Sequence, residues 1–329
     1  MKDFANANAR DLKHAVTLAE QARRDGREAS FAGGGSDLLV LAKERIITPD
    51  VVINLRTIKG LDRVTRAAGG IEIGGLVTLD ALSQNPIVRK EYAALAEAAA
   101  SVATPQIRNV GTLAGNVCQR PWCWYFRNDF PCFKNGGKTC FSASGENQFH
   151  AIFGGGPSYI VHPSDTAPAL VALDATFRIV GPSGERLVPA AEFFVLPREN
   201  SARENVLGTE DVLASVRIPA ARPGTRSTYH KVLDREAWTH AVVSAAIVLE
   251  MDRDVCRNAR IVLGGVAPIP WRLPEVERLL AGQRMTPELA VKAAEAAVAG
   301  ARPLAKNGYK VPLTKGVVRR TLVDLSARA

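Results

Sequence analysis

Four of the five cysteines in this 329-residue chain lie in one short segment. They are Cys118, Cys123, Cys132 and Cys140, with the spacing C-x4-C-x8-C-x7-C. Four thiolates in one loop can hold a zinc ion or an iron–sulfur cluster. Two disulfides or four free buried thiols are the alternatives without a metal.

The residues between these cysteines are unusually aromatic. Eight of the chain's twenty aromatic residues lie between Cys118 and His150. Pro121, Pro131 and the pair Gly136-Gly137 interrupt any helix there. The segment lacks the C-x2-C pair common in structural zinc sites, and a water-excluding shell helps to set the potential of an iron–sulfur cluster. The residues therefore favour a cluster, with zinc and free thiols as the alternatives.

Two glycine-rich stretches, residues 33–37 and 111–116, indicate loops that approach a ligand closely. The first follows a predicted strand at residues 29–32 and precedes a predicted helix at residues 38–43, an order in which backbone N–H groups can hold a phosphate. Neither the G-x-G-x-x-G pattern nor the P-loop lysine is present. Two such loops on one side of a sheet can grip a pyrophosphate between them, and a plain turn is the alternative for the first loop.

Hydrophobic periodicity predicts an alternation of short strands and helices up to a linker at residues 219–224, which we take as a domain boundary. The remainder is predicted as a small α+β lobe, a three-stranded meander followed by two helices. Further predicted elements are helices at residues 11–24, 78–103, 166–173, 274–281 and 286–299, strands at 51–55, 159–162, 213–218, 229–233, 243–251 and 258–266, and hairpins at 66–75 and 176–188.

Composition excludes several classes of protein. Hydrophobic residues make up 47% of the chain, and no apolar run is long enough to cross a membrane. The net charge of +9 is spread along the chain next to acidic residues, which does not favour nucleic-acid binding. The N-terminus shows no export signal, so we expect a cytoplasmic protein, or a periplasmic one if a partner carries the signal.

Several motifs together resemble the FAD-binding subunit of the molybdenum hydroxylases, the group that includes the flavin domain of xanthine dehydrogenase. They occur in the family's order and spacing, and they span the whole chain. They are A-G-G-G-S-D-L at residues 32–38, I-R-N-V-G-T-L-A-G-N at 107–116, H-P-S-D at 162–165, Lys231, and G-G-V-A-P at 264–268.

The resemblance implies a fold and a set of FAD contacts. The fold is α+β: a two-lobed FAD-binding domain over residues 1–222, with lobes at about 1–57 and 58–222, and a C-terminal domain over 223–329. Ser36 and Thr112 would donate hydroxyl groups, Asp165 would hold the flavin end or cap a helix, and Lys231 would place a positive charge near the flavin or be a solvated strand residue. The implied FAD contacts are Ala32, Gly33, Gly34, Gly35, Ser36, Asp37, Leu38, Thr104, Gly111, Thr112, Gly115, Asn116, Asp165 and Lys231.

The cysteine segment, an insertion at about residues 117–158, is similar to the one that carries a 4Fe–4S cluster in the flavin subunits of 4-hydroxybenzoyl-CoA reductase and periplasmic aldehyde oxidoreductase. Cys123, Cys132 and Cys140 match three ligands of that cluster, but Ser158 stands where the fourth cysteine is expected. Either Cys118 completes the set, which we favour, or Ser158 supplies an oxygen, or one iron is labile. The fifth cysteine, Cys256, is expected in the core.

The resemblance also implies a role without a catalytic side chain, so His150 and His162 receive no catalytic assignment. The chain would pass electrons from the 2Fe–2S clusters of a small subunit, supplied by a large molybdenum subunit, to an external acceptor such as NAD, ferredoxin, a quinone or oxygen. Two alternatives stay open: a self-contained flavoenzyme of the same fold, and a zinc-stabilised interaction module without enzymatic activity.

Overall fold

The computed structural model describes residues 1–236 and 239–327. Its N-terminal lobe contains a three-stranded parallel sheet. Val51–Asn54 lies between Ala5–Asn8 and Ala29–Ala32. Helix Leu12–Arg24 buries an alanine- and valine-rich stripe, and Asp11 caps it by accepting the His14 N–H at 2.7 Å. The strand Ala29–Ala32 leads through the first glycine loop into helix Leu38–Lys43.

The second lobe is an antiparallel five-stranded sheet covered by helices. Its strand order is Val64–Ala67, Gly70–Gly74, Val212–Pro219, Thr176–Gly181 and Gly184–Pro189. Alternate strand residues such as Ile71, Ile73 and Phe177 point into the main hydrophobic core. The helices of this lobe are Leu79–Gln84, Pro86–Glu91, Ala93–Ala100, Pro105–Val110, Leu113–Cys118, Thr166–Ala172 and Ala190–Phe193.

The C-terminal domain is a second antiparallel sheet packed against three helices. The strands Thr225–Val232, Val243–Asp252 and Val255–Gly264 form the predicted meander, and the short strands Trp271–Arg272 and Gln283–Arg284 pair with its last member. The helices are Pro274–Leu280, Pro287–Ala296 and Lys310–Ser326. The last helix was not predicted. The α+β class and a C-terminal antiparallel sheet with helices are confirmed.

The cysteine insertion contains little regular structure. Its elements are the one-turn helix Trp124–Arg127 and the 3₁₀ turns Phe133–Asn135 and Phe141–Ala143. The prediction of a strand at residues 159–162 is wrong: this segment is irregular and makes single backbone hydrogen bonds, such as His162 N–H to the Ala267 carbonyl at 2.9 Å. No helix in the described ranges is long and apolar enough to cross a membrane.

Candidate functional site

The two glycine loops touch each other, and only glycine permits this contact. A Cβ atom on Gly34 would lie 1.9 Å from the Val110 carbonyl oxygen, and one on Gly33 would lie 2.9 Å from Thr112 Oγ1. Gly35 has a φ of +72°, a conformation that side chains disfavour. The loops therefore approach each other closely, with backbone against backbone at Gly34.

Two cavities adjoin at this contact. We call them the first loop cavity, which has a volume of about 380 Å³, and the second loop cavity, which has a volume of about 430 Å³; the numbers do not refer to the order of the glycine loops. Both are lined by Ser36, Asp37, Thr112, Gly115 and Gln119, so they form one elongated site divided by the loops. An elongated, mostly apolar cleft with a few hydroxyl and amide groups suits a long nucleotide cofactor.

Most of the predicted FAD contacts line these cavities. Gly33, Gly34, Gly35 and Leu38 line the second loop cavity, whereas Gly111, Asn116 and Asp165 line the first. Three predicted contacts line neither. Ala32 ends a strand, Thr104 Oγ1 accepts the Ile107 N–H at 3.5 Å as a helix cap, and Lys231 lies behind Asp165.

A buried charged network holds Asp165 in place. Its carboxylate accepts hydrogen bonds from Tyr229 Oη at 2.6 Å and from Lys231 Nζ at 2.7 Å, and both charged side chains are almost fully buried. Burial, reinforced by the Asp165 charge, raises the pKa of Tyr229 well above its usual value. Asp165 does not cap its helix with its side chain, since Ser164 Oγ accepts the Ala167 N–H instead. Lys231 is not a solvated residue.

Asn116 is fixed by two hydroxyl groups. Its Oδ1 accepts hydrogen bonds from Ser164 Oγ at 2.6 Å and from Thr166 Oγ1 at 2.7 Å. The second glycine loop is thereby joined to the H-P-S-D segment. The first loop cavity thus has a wall whose polar groups are already positioned before any ligand arrives.

The structure separates the four predicted cysteine ligands. Cys123, Cys132 and Cys140 line one small cavity, the thiol cavity, and Ser158 lines it too. Cys118 lies elsewhere, on the wall of the second loop cavity. The placement therefore supports Ser158, rather than the favoured Cys118, as the fourth residue facing the three thiols.

Burial raises the pKa of two of the thiols, one in each cavity. Burial raises the pKa of Cys118 to about 12 and that of Cys123 to about 11, and the neighbouring Cys140 and Cys132 act in the same direction on Cys123. Within the described residues, no group of three or more His, Cys, Asp or Glu side chains is placed so that it could hold a single metal ion.

One peptide unit connects the two sites. Trp122 lines the first loop cavity and packs against His240 in a tilted arrangement with 5.4 Å between ring centroids, whereas the next residue, Cys123, lines the thiol cavity. Arg127 reinforces this junction. Its guanidinium lies 4.1 Å from the Trp122 ring centroid and donates to Asp37 of the first glycine loop at 2.8 Å.

The C-terminal domain grips the end of the insertion. Four residues of this domain, which we call the C-terminal clamp, donate hydrogen bonds to each residue from 146 to 151. They are Lys306, Asn307, Tyr309 and Lys310. Asn307 Nδ2 donates to the His150 and Ala151 carbonyls at 3.0 and 3.2 Å. Lys310 Nζ donates to the Phe149 and Gly265 carbonyls, and burial lowers the pKa of Lys310 to about 7.

Sequence reasoning missed several cavity residues. Gln119, Trp122, Pro163, Arg235 and His240 line the first loop cavity, and all of residues 207–213 except Glu210 line the second. The adjacency of Trp122 to a candidate ligand was a usable signal for that residue. Residues 207–213 carry no motif, because a sheet brings them to the site from far along the chain.

Comparison with known proteins agrees with this geometry. Residues 2–221 match the family described as the FAD binding domain in molybdopterin dehydrogenase. Residues 228–325 match the C-terminal domain of the carbon monoxide dehydrogenase flavoprotein.

Individual relatives cover nearly the whole chain. The FAD-binding subunit PaoB of Escherichia coli aldehyde oxidoreductase is 34% identical over 306 residues, covering 92% of each protein. The medium chain of carbon monoxide dehydrogenase from Hydrogenophaga pseudoflava is 29% identical over 308 residues, 92% of this chain and 91% of the relative. A solved structure of carbon monoxide dehydrogenase from that organism matches with a TM-score of 0.78 at 27% identity, covering 99% of this chain and 98% of the other.

Proposed function

The chain belongs to the FAD-binding subunits of the molybdenum hydroxylases and is an oxidoreductase flavoprotein subunit. From this premise we propose that it is the subunit through which electrons leave a heteromeric enzyme. It passes electrons from the 2Fe–2S clusters of a small subunit to an external acceptor. The substrate is oxidised on a separate large subunit that holds the molybdenum cofactor. The relative at 34% identity is an aldehyde oxidoreductase subunit, which favours aldehydes as substrates.

The loop cavities fit FAD. Gly33, Gly34 and Gly35 leave backbone N–H groups open to the pyrophosphate, and Ser36 and Thr112 add hydroxyl donors where both cavities meet. Asp165, held by Tyr229 and Lys231, faces the first cavity as a fixed acceptor. Bound FAD supplies the ability to exchange electrons in single or paired steps, and the protein contributes binding, orientation and charge.

The thiol cavity fits a 4Fe–4S cluster by its donor set. Cys123, Cys132 and Cys140 supply three thiolates inside an aromatic shell, and Ser158 offers a hydroxyl oxygen at the remaining side. The observation that carries the electron-transfer role is the junction at Trp122 and Cys123. Because Trp122 lines one cavity and the next residue lines the other, the two cavities share a wall, which is the arrangement that electron transfer between two cofactors needs.

The fourth position can be tested by substitution. Cys132→Ser is expected to remove most of the iron, whereas Cys118→Ser keeps it, because Cys118 faces the other cavity. Ser158→Ala should leave three iron atoms or a labile fourth, and Ser158→Cys should stabilise the cluster. If Cys118→Ser loses iron as completely as Cys132→Ser, the placement of the fourth ligand at Ser158 is wrong.

The partners are proposed from the relatives, which are named as subunits or medium chains of larger enzymes. The acceptor is NAD, a ferredoxin, a quinone or oxygen. The test is to co-express the chain with its molybdenum and 2Fe–2S subunits and to add an aldehyde without oxygen. We expect the flavin absorbance to bleach in the complex and not in the isolated chain. Turnover by the isolated chain would instead identify a self-contained flavoenzyme.

A further inference from the structure

We infer that His150 donates a hydrogen bond from Nε2 to the Cys123 thiolate and thereby raises the reduction potential of the cluster held in the thiol cavity. This inference rests on the proposed function. His150 Nε2 lies 3.3 Å from Cys123 Sγ, a normal distance for a hydrogen bond to sulfur. The histidine is buried, with 7% of its surface exposed, so water does not compete for the contact.

The surroundings of the ring determine which nitrogen carries the hydrogen. His150 Nδ1 is buried and has no hydrogen-bond partner among the described residues. A hydrogen on Nδ1 would bury an unpaired donor and would direct the Nε2 lone pair at the sulfur. A hydrogen on Nε2 leaves only an unpaired acceptor at Nδ1 and makes the contact with sulfur attractive. Because a thiolate can only accept a hydrogen bond, a cluster-bound Cys123 places the hydrogen on Nε2.

The backbone of His150 is held independently of the thiol. Its N–H donates to the Asn147 carbonyl at 3.0 Å, and its carbonyl accepts from Asn307 Nδ2 at 3.0 Å. Asn147 is itself held, since its Oδ1 accepts the Lys306 N–H at 2.9 Å. The C-terminal clamp thus presents the imidazole to Cys123 from a different domain. A fixed donor of this kind orients and tunes a ligand without being one.

The direction of the effect follows from charge. Reduction adds an electron to the cluster, and part of that charge resides on the ligand sulfurs. A hydrogen bond to Cys123 Sγ stabilises the reduced form more than the oxidised form, so it raises the potential. Cys140 has contacts of its own, with Ser142 Oγ at 3.1 Å and the Tyr159 N–H at 3.5 Å. For Cys123 the hydrogen bond comes from His150, whose backbone the C-terminal clamp holds in place.

Two variants separate the donor from the ring. His150→Phe keeps an aromatic ring and removes the donor, whereas His150→Gln keeps an N–H that can reach the sulfur. The readout is the cluster's midpoint potential in an anaerobic redox titration of the purified full chain, followed by EPR, with iron and FAD contents measured in parallel. We expect the potential to fall in His150→Phe, to return toward the wild-type value in His150→Gln, and both contents to stay unchanged.

Other outcomes overturn the inference in distinguishable ways. An unchanged potential in His150→Phe removes the tuning role, and loss of one iron would make His150 a ligand instead of a donor. If both variants fail to fold, proton ENDOR of the wild-type cluster in H₂O and D₂O decides: a strongly coupled exchangeable proton supports the donor, and its absence overturns it. A wild-type chain without iron would contradict the proposed function itself.

Discussion

The loop cavities and the thiol cavity are neighbours, but different interactions hold them. The loop cavities lie between short strands and helices whose glycine loops touch through backbone atoms. The thiol cavity lies in a segment with a single one-turn helix and two 3₁₀ turns, held by side chains and by the C-terminal clamp. The comparison teaches that the glycine loops are fixed by direct backbone contact, whereas the thiol cavity is held by side chains, by a distant domain and, on our proposal, by iron.

The largest effect is expected from the charged network at the first loop cavity. Asp165→Ala leaves Lys231 buried without its partner, and breaking a buried ion pair from one side costs about 3–5 kcal/mol. Chemical denaturation should show this loss in the free energy of unfolding. Asp324→Ala, which breaks the exposed pair with Arg320, is the matched control and should cost at most about 1 kcal/mol. Equal losses in both variants would refute the account of Asp165.

A smaller effect is expected from the clamp. Asn307→Ala leaves the His150 and Ala151 carbonyls without a donor, at a cost of about 1–3 kcal/mol. We expect faster amide hydrogen exchange at residues 146–151 and lower iron content, with FAD retained. Lys315→Ala, which removes the ion pair with Glu295 outside the clamp, is the control. If the FAD content of Asn307→Ala falls and its iron content is unchanged, the claim that the clamp holds the thiol cavity separately from the loop cavities is wrong.

The glycine contact gives the converse test. Gly34→Ala would push the two loops apart, because its Cβ overlaps the Val110 carbonyl oxygen. We expect FAD affinity to fall about tenfold, which corresponds to about 1.4 kcal/mol, while iron content is unchanged. Gly300→Ala is the matched control, since its Cβ would meet no atom within 4 Å. Fluorescence titration of FAD into the apoprotein measures both, and wild-type affinity in Gly34→Ala would show that the loops yield freely.

The smallest effect concerns pH. The pKa of Lys310 in the folded chain is about 7, below its ordinary value of 10.5, because of burial. Between these values the unfolded chain binds a proton that the folded chain lacks, so stability rises with pH by roughly 1 kcal/mol per unit. Urea denaturation at pH 7 and pH 8 should show this rise in the wild type and not in Lys310→Met. A parallel rise in Lys310→Met would assign the dependence to other groups.

The loop cavities could largely be predicted from the sequence, because glycines, hydroxyl residues and the H-P-S-D segment reveal close backbone approach. The two hairpins and the C-terminal meander also follow from periodicity and turn residues. The helices Pro105–Val110 and Leu113–Cys118 were hidden, since each is only six residues long and adjoins glycine or proline. Helix Lys310–Ser326 was hidden by Pro312 and Gly316, although proline is tolerated in a first turn.

The thiol cavity could be predicted only in part. Its cysteines are visible in the sequence, but their grouping depends on how an irregular loop turns, and nearness in sequence does not reveal that Cys118 lines a different cavity from the other three. The contact of His150 with Cys123 joins residues 27 positions apart, and Asn307 reaches His150 from 157 positions away. No local pattern encodes such contacts, because the first arises from the fold of the irregular insertion and the second from the packing of the C-terminal domain on it.

The most direct test of the account is to count cofactors in the full chain purified without oxygen. We predict one FAD and about four iron atoms per chain, with a reduced-cluster EPR signal after dithionite. We expect Cys132→Ser to keep its FAD and lose iron, and Gly34→Ala to keep its iron and lose FAD. A chain that holds FAD with zinc, or FAD with no metal, would contradict the claim that two electron carriers lie side by side here.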